Sequence, residues 1–280
     1  LLPAKPRTAY VDRRLRSGWA AAVSSWICGG DAAARHAGYG GGYIAGVTRL
    51  RLATLNVWGW YYPAGPQAAK AGLSNPHPAW SARQSALAAA LGAEQPDLVA
   101  FQEAITVPGY DQVSELLGSG YQVVHARLRE TDGSGATIAS RWPVTAVHEV
   151  DLPVNERSTD LPAVTLVADI EAPAPIGPLL LATHTNSWQL GHEYEREMQA
   201  VTAARTLAGL AAAGGRHTLL AGDFNAAPDA ASMRFWRGLQ SLGGISVSYR
   251  DAWHTLHPDD PGHTFSPHNP MLSEGTWSQE

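Results

Sequence analysis

Two β-sheets packed face to face with helices on their outer sides is the α/β arrangement this sequence predicts. Three observations carry that reading. Strand-like stretches outnumber helical ones, and the helices recur late in each half of the chain. The two halves also share an order: strands, a helix, then a strand that ends in an acidic residue.

The first 48 residues form an N-terminal extension. Asp12 is a candidate cap for a helix with Leu15, Trp19, Val23 and Trp26 at near-helical spacing, beside Arg13, Arg14 and Arg16. Such a helix is expected to pack on the main body, with a partner-binding or membrane-surface helix as the alternative. Positive charge before an apolar stretch is also a signal-peptide feature. Here Ser24 and Ser25 interrupt the stretch and no cleavage site is evident, so cytoplasmic and secreted locations both stay open. Gly38, Gly40, Gly41, Gly42 and Gly46 then make a flexible junction.

The main domain, residues 49–280, opens on Arg49–Val57, whose alternating apolar positions predict a strand. Ser81–Gly92 predicts a helix: Ser81 and Gln84 have capping-box spacing, and the interior is rich in Ala and Leu. Pro96 ends it, and Asp97–Gln102 reads as a short buried strand. Tyr121–Ala126, Ala136–Ser140 and Val144–Leu152 follow as strands. Val164–Ile170 and Leu179–His184 flank a Pro-rich turn, as in a hairpin. Glu193–Ala213 is the longest helical stretch, closed by Gly214 and Gly215. His217–Ala221 predicts a last strand, and a short helix is expected from Asp229.

Composition narrows the function. The chain has 280 residues, 45% hydrophobic and 16% charged, which suits a globular domain. No apolar run approaches the roughly 18 residues of a membrane span. One cysteine, Cys28, excludes an internal disulfide and a cysteine metal cluster. Net charge is −5, and Lys5 and Lys70 are the only lysines. Binding long DNA through its backbone favours a basic surface. The charge therefore points to a small phosphoester, a short single strand or a lipid headgroup.

The chemistry sits at strand ends. Asn56, Glu103, His184, Asp223 and Asn225 each lie at or just after the C-terminal end of an apolar strand. A strand-end Asn or Asp is commonly a turn former; five such positions in one domain suggest a site. The set suits phosphoester hydrolysis. Glu103 is a hard oxygen ligand for Mg²⁺ or Mn²⁺, which can offset charge on phosphoryl oxygens. Asp223 can orient or deprotonate water, Asn225 can hold water or a phosphate oxygen, and His184 can donate to a phosphoryl oxygen.

These residues fall in LATLNVW (52–58), DLVAFQE (97–103), GATIASRWPV (135–144), LLLATHTN (179–186) and LLAGDFNAAP (219–228). Over roughly residues 49–270 the chain resembles the endonuclease/exonuclease/phosphatase superfamily, which includes DNase I-like nucleases and neutral sphingomyelinases. The resemblance implies a four-layer αββα sandwich of two mainly antiparallel sheets, with the site at one edge. It implies metal binding by Glu103 with Asn56, phosphate contact by His184, and catalytic roles for Asp223 and Asn225. Arg196 and Gln199 match the family's Arg-x-x-Gln element, and Arg141 its Ser-Arg-x-Pro turn. Both arginines are expected to be structural, because guanidinium groups can bridge buried carbonyls and carboxylates. The family's closing Ser-Asp-His segment, which supplies a general base, has no counterpart in residues 1–280. That base is expected from residues beyond this sequence; the alternative is a relative that binds metal or phosphate without efficient turnover.

Trp58, Trp60, Tyr61 and Tyr62 follow Asn56 and could form a substrate platform, or pack a loop across the sheets. Asn186 and His268 complete the substrate-side candidates. His254, His257, His263 and His268 are too irregularly spaced for a convincing zinc site. Glu193, Glu195 and Glu197 beside His192 suit a helix N-terminus and are given no catalytic role. The expected reaction is Mg²⁺- or Mn²⁺-dependent phosphodiester hydrolysis. The alternatives are a DNA or RNA nuclease, a sphingomyelinase-like enzyme with peripheral lipid contact, and a noncatalytic binding module.

Overall fold

The computed structural model describes residues 10–11, 21–28, 48–57, 80–158, 162–262 and 264. The first sheet holds β1 (Tyr10–Val11), β2 (Ala21–Cys28), β3 (Thr48–Asn56), β4 (Leu98–Val107), β5 (Tyr110–Asp111), β6 (Gln122–His125) and β7 (Ser134–Ser140). Its order is β1-β2-β3-β4-β7-β6, with β5 paired to β4. The second sheet holds β8 (Val144–Asp151), β9 (Val164–Glu171), β10 (Pro178–Thr185) and β11 (His217–Asp223), in the order β11-β10-β9-β8. Parallel pairing occurs at β3–β4 and β10–β11, and the other pairs are antiparallel.

Both parallel pairs are joined through a helix, as strand direction requires. Helix α1 (Trp80–Glu94) links β3 to β4, and α3 (Glu193–Gly214) links β10 to β11. Each lies on the outer face of its own sheet. Leu87 and Leu91 of α1 pack with Ala53, Leu55, Val99 and Phe101. Ala200, Ala203, Ala204 and Leu207 of α3 pack with Val167, Leu180 and Ala182. Between the sheets a third cluster joins Leu50, Leu52, Leu98, Ala100 and Ile138 to Leu166, Ile170, Leu179, Leu181 and Ala221. Helix, sheet, sheet and helix therefore form the expected αββα sandwich. Short helices α2 (Gln112–Leu117), α4 (Ala231–Trp236) and α5 (Ala252–Leu256) complete it.

The predicted elements recur with small shifts. Helix α1 begins at Trp80 rather than Ser81, and the β9–β10 hairpin forms as expected. The helix expected around residues 12–26 is corrected: Ala21–Cys28 is a strand, antiparallel to β3 with Val23 opposite Ala53 and Trp26 opposite Leu50. A short apolar run fits either period, and the unpaired backbone groups along β3 favour a strand. Leu15, Trp19 and the glycine junction lie outside the described residues, as do Trp58, Trp60, Tyr61, Tyr62, His263 and His268. Among the described residues no helix is long and apolar enough to cross a membrane.

Candidate active site

Strand alternation decides which polar residues meet. On β3, Leu50 and Leu52 face the inter-sheet core, so Asn56 continues that face. On β11 Ala221 faces the same core, which places Asp223 beside it. Both side chains thus stand at one end of the space between the sheets. The Asn56 amide bridges the acids, donating from Nδ2 to Glu103 Oε1 at 2.9 Å and to Asp223 Oδ2 at 2.9 Å.

Glu103 reaches this meeting point by breaking alternation. On β4, Leu98 and Ala100 face the core, and Val99 and Phe101 face α1. Regular alternation would send Glu103 to the α1 side with Phe101. The β4–β7 register shifts between Phe101 and Ala104, and Glu103 adopts φ 55°, in the left-handed region. This bulge inserts one residue and re-aims the side chain toward Asn56. The expected end of the strand at Gln102 is therefore corrected: β4 continues to Val107 beyond the bulge. A left-handed non-glycine residue beside two other site residues is the kind of strain that clusters at functional sites.

Burial raises the Glu103 carboxyl to about 7, a shift opposed by the Asn56 hydrogen bond and reinforced by the Asp223 charge. Its Oε2 is buried with no hydrogen-bond partner among the described residues. An orphaned carboxylate oxygen beside a second carboxylate and an amide is a hard-oxygen donor set, and it fits Mg²⁺ or Mn²⁺. Among the described residues, no three His, Cys, Asp or Glu gather as a metal cluster.

Asp223 is held on both oxygens, because Oδ1 accepts from the Asn225 backbone N–H at 3.1 Å. Asn225 sits at φ 45°, and its Nδ2 donates to the Asn186 carbonyl at 3.2 Å. Asn186 is buried, and its Oδ1 has no partner among the described residues. The Gly-Asp-Phe-Asn turn therefore ties β11 to the segment after β10.

His184 does not join the acids. Alternation along β10 puts it on the face of Leu180 and Ala182, the side covered by α3. It is fully buried, its Nδ1 lies 2.7 Å from Thr165 Oγ1, and its ring packs against Phe224 and Trp236. Burial lowers its pKa to about 4, so at neutral pH the ring is uncharged. The expected phosphate donor is thus a neutral side chain packed under helices α3 and α4.

The matching arginines are structural, as expected. Arg196 donates to the carbonyls of Ser187 (3.1 Å), Gln189 (2.7 Å) and Leu190 (3.2 Å), and to Glu193 (2.7 Å). Gln199 accepts from Ser187 N–H and donates to Leu152 O and Ser187 Oγ. Together they fasten the segment that follows β10. Arg141 donates to Pro96 O and Gln95 Oε1 and lies over the Tyr121 ring. It sits at the start of β4, roughly 20 Å of extended chain from Glu103. Glu193 caps the approach of α4 by accepting from Ser232 N–H at 2.7 Å. His257 stacks on Trp253 at 4.1 Å between ring centroids.

Gln102 joins the site although its strand reads only as short and buried. Its Nε2 donates to Thr183 Oγ1 across the sheets at 2.9 Å, and to Ala100 O and Thr54 Oγ1. A polar residue on the core face of a buried strand was the available signal.

Solved structures share this architecture at low identity. A humanized D. rerio TDP2 superposes with TM-score 0.53 at 20% identity, covering 75% of this chain and 73% of that one. An endonuclease/exonuclease/phosphatase family protein from Bacteroides thetaiotaomicron gives TM-score 0.51 at 19% identity, covering 66% and 65%. Mannosyl-6-phosphatase Bt3783 of the same species gives 0.50 at 19%, covering 66% and 68%. The chain spans 62% of the human Nocturnin catalytic domain and 51% of ANGEL2. A comparison with curated proteins gives no match. The family description "Endonuclease/Exonuclease/phosphatase family" matches residues 53–273, from the strand that carries Asn56 past the turn that carries Asp223 and Asn225. With its two-sheet core, bridged acid pair and a match over most of its length, this chain belongs to the endonuclease/exonuclease/phosphatase family.

Proposed function

We propose that the chain is a divalent-metal-dependent phosphoester hydrolase, with phosphodiesters as the preferred class. The observation that carries this reading is the Asn56 amide holding Glu103 and Asp223 together at the end of the inter-sheet space. Glu103 would hold Mg²⁺ or Mn²⁺, with Asn56 beside it; such an ion polarises the phosphoryl group and offsets charge on its oxygens. Asp223 orients the attacking water and accepts its proton. Its two anchoring hydrogen bonds fix that orientation before substrate arrives, which lowers the entropic cost of in-line attack. Asn225 positions a phosphate oxygen or the water without adding negative charge. His184, neutral and packed away from the acids, supports the Asp223 turn from the neighbouring strand. A preference for diesters rests on family analogy.

Lipid phosphodiesters are the second reading. Trp188 and Leu190 are exposed on the segment that Arg196 fastens beside Asn186, and Tyr194 is exposed on the first turn of α3, which suits contact with an apolar or interfacial substrate. Nucleic acid has only the family's breadth behind it, against a net charge of −5.

The test is product release in Mg²⁺ or Mn²⁺ from single- and double-stranded DNA, RNA, sphingomyelin and an inositol polyphosphate, with Asp223→Ala in parallel. Turnover of one class that vanishes in the variant supports the proposal and selects the substrate. Turnover unchanged in Asp223→Ala overturns the site assignment, and none with any substrate overturns the proposal in favour of a binding module.

A further inference from the structure

The acid pair comes from two different sheets, so something must set the distance between those sheets at the site. Glu103 is carried by β4 of the first sheet and Asp223 by β11 of the second. The apolar layer between them is non-directional and does not by itself specify which polar groups meet at the site. Gln102 supplies a directional link at the level of the site. Its side chain is 1% exposed and donates to Thr183 Oγ1 on β10 at 2.9 Å. Thr183 is completely buried and lies opposite Ala221, two residues before Asp223 on the adjacent parallel strand.

The same residue is tied to β3. Gln102 is the register partner of Asn56, its carbonyl accepts from Val57 N–H at 3.0 Å, and its Nε2 also reaches Thr54 Oγ1 at 3.3 Å. It is also the first residue inside the bulge whose next member is Glu103. One side chain therefore meets the strands carrying Asn56 and Glu103 and spans to the strand beside Asp223.

We infer that Gln102, through its hydrogen bond to Thr183, is a positioning residue that fixes the separation of Glu103 and Asp223 bridged by Asn56. The inference deepens the proposed metal site and rests on it for its consequence, but the geometric claim stands on metal-free observables.

A merely structural Gln102 would serve only to satisfy buried polar groups. Removing both partners of a buried hydrogen bond with residues of similar shape is close to neutral for stability, whereas removing one leaves the other unsatisfied. The double variant Gln102→Met/Thr183→Val removes both ends of the inter-sheet bond and forfeits only the longer contacts to Ala100 O (3.1 Å) and Thr54 Oγ1 (3.3 Å), so it separates the two roles. In the full chain freed of metal, the Asn56 side-chain amide is followed by ¹H–¹⁵N NMR, alongside thermal unfolding. Mn²⁺ alone is then titrated by calorimetry.

The expected result is a double variant that unfolds near the wild-type temperature, yet has shifted and faster-exchanging Asn56 amide protons. Its Mn²⁺ affinity falls by about 10-fold, the low end of the range for losing a ligand's own hydrogen-bond partner, because Gln102 acts one bond further out. Gln102→Met alone loses both stability and the Asn56 signal position. An unchanged Asn56 amide in the folded double variant overturns the inference. If the wild-type chain does not bind Mn²⁺, the metal reading falls, and the Asn56 amide still decides the role of Gln102.

Discussion

Gly222 lies so close to His184 on the neighbouring parallel strand that a Cβ at Gly222 would fall 2.0 Å from the His184 carbonyl oxygen and 2.7 Å from its backbone nitrogen. Gly222 also has φ 147°, a conformation costly for other residues. The glycine before Asp223 is thus a steric requirement of the strand pair that aims the acid. Gly222→Ala is expected to destabilise the protein by at least about 3 kcal/mol, at the high end for a single substitution. Urea unfolding would measure it; a change below about 1 kcal/mol would show that β10 and β11 can separate without cost.

Arg196 is expected to act on stability and on the loop after β10, with no direct part in chemistry. Lysine cannot reproduce a fork that serves the carbonyls of Ser187, Gln189 and Leu190 together. Arg196→Lys should lose about 2 kcal/mol and open the 187–191 segment to limited proteolysis. Retained stability and protection would mean that Gln199 and Arg157, which donates to the Gly191 carbonyl at 3.1 Å, hold the loop without it.

The cap of α2 offers an independent check. Asp111 accepts from the backbone N–H groups of Val113 and Ser114 and lies 3.2 Å from His125 Nε2. Against a desolvation that would raise it, the His125 and Ser114 hydrogen bonds hold its carboxyl down to about 2. A depressed folded pKa gives stability that is present above the ordinary value and lost as pH falls toward 2. Asp111→Ala should therefore cost about 1 kcal/mol at pH 7 and less at pH 3, measured by thermal unfolding at both.

Much of this arrangement is legible in the sequence, and the exceptions have physical causes. Asn56 and Asp223 continue the core-facing alternation of their strands, so their meeting follows once the two sheets are placed face to face. Glu103 is marked by its motif, but alternation alone sends it toward α1; nothing local in Phe-Gln-Glu-Ala announces the bulge. His184 shows the converse. Its motif suggests a phosphate contact, while its alternation with Leu180 and Ala182 already assigns it to the helix-covered face. The strand Ala21–Cys28 was hidden because its spacing of Val23 and Trp26 fits a helix, and only pairing with β3 selects the extended form.

Glu103 and His184 also oppose each other in the pH dependence of stability. Burial raises the Glu103 carboxyl from 4.5 to about 7, so between these values the folded metal-free protein binds more protons than the unfolded chain. Stability from that group is present below pH 4.5 and falls as pH rises to 7. Burial lowers His184 from 6.5 to about 4, so there the unfolded chain binds more protons and stability rises with pH. The two contributions nearly cancel between pH 4.5 and 6.5. Single variants should unmask them. Glu103→Gln in EDTA should leave stability rising with pH across this window, by on the order of 2 kcal/mol. His184→Gln should leave it falling by a similar amount. Denaturant unfolding from pH 4.5 to 7 for the three proteins decides the matter. Parallel pH profiles in all three would mean that neither group is as desolvated as its surroundings dictate. Opposite slopes in the two variants would show that the buried histidine is uncharged and that the buried glutamate holds its proton in the metal-free protein.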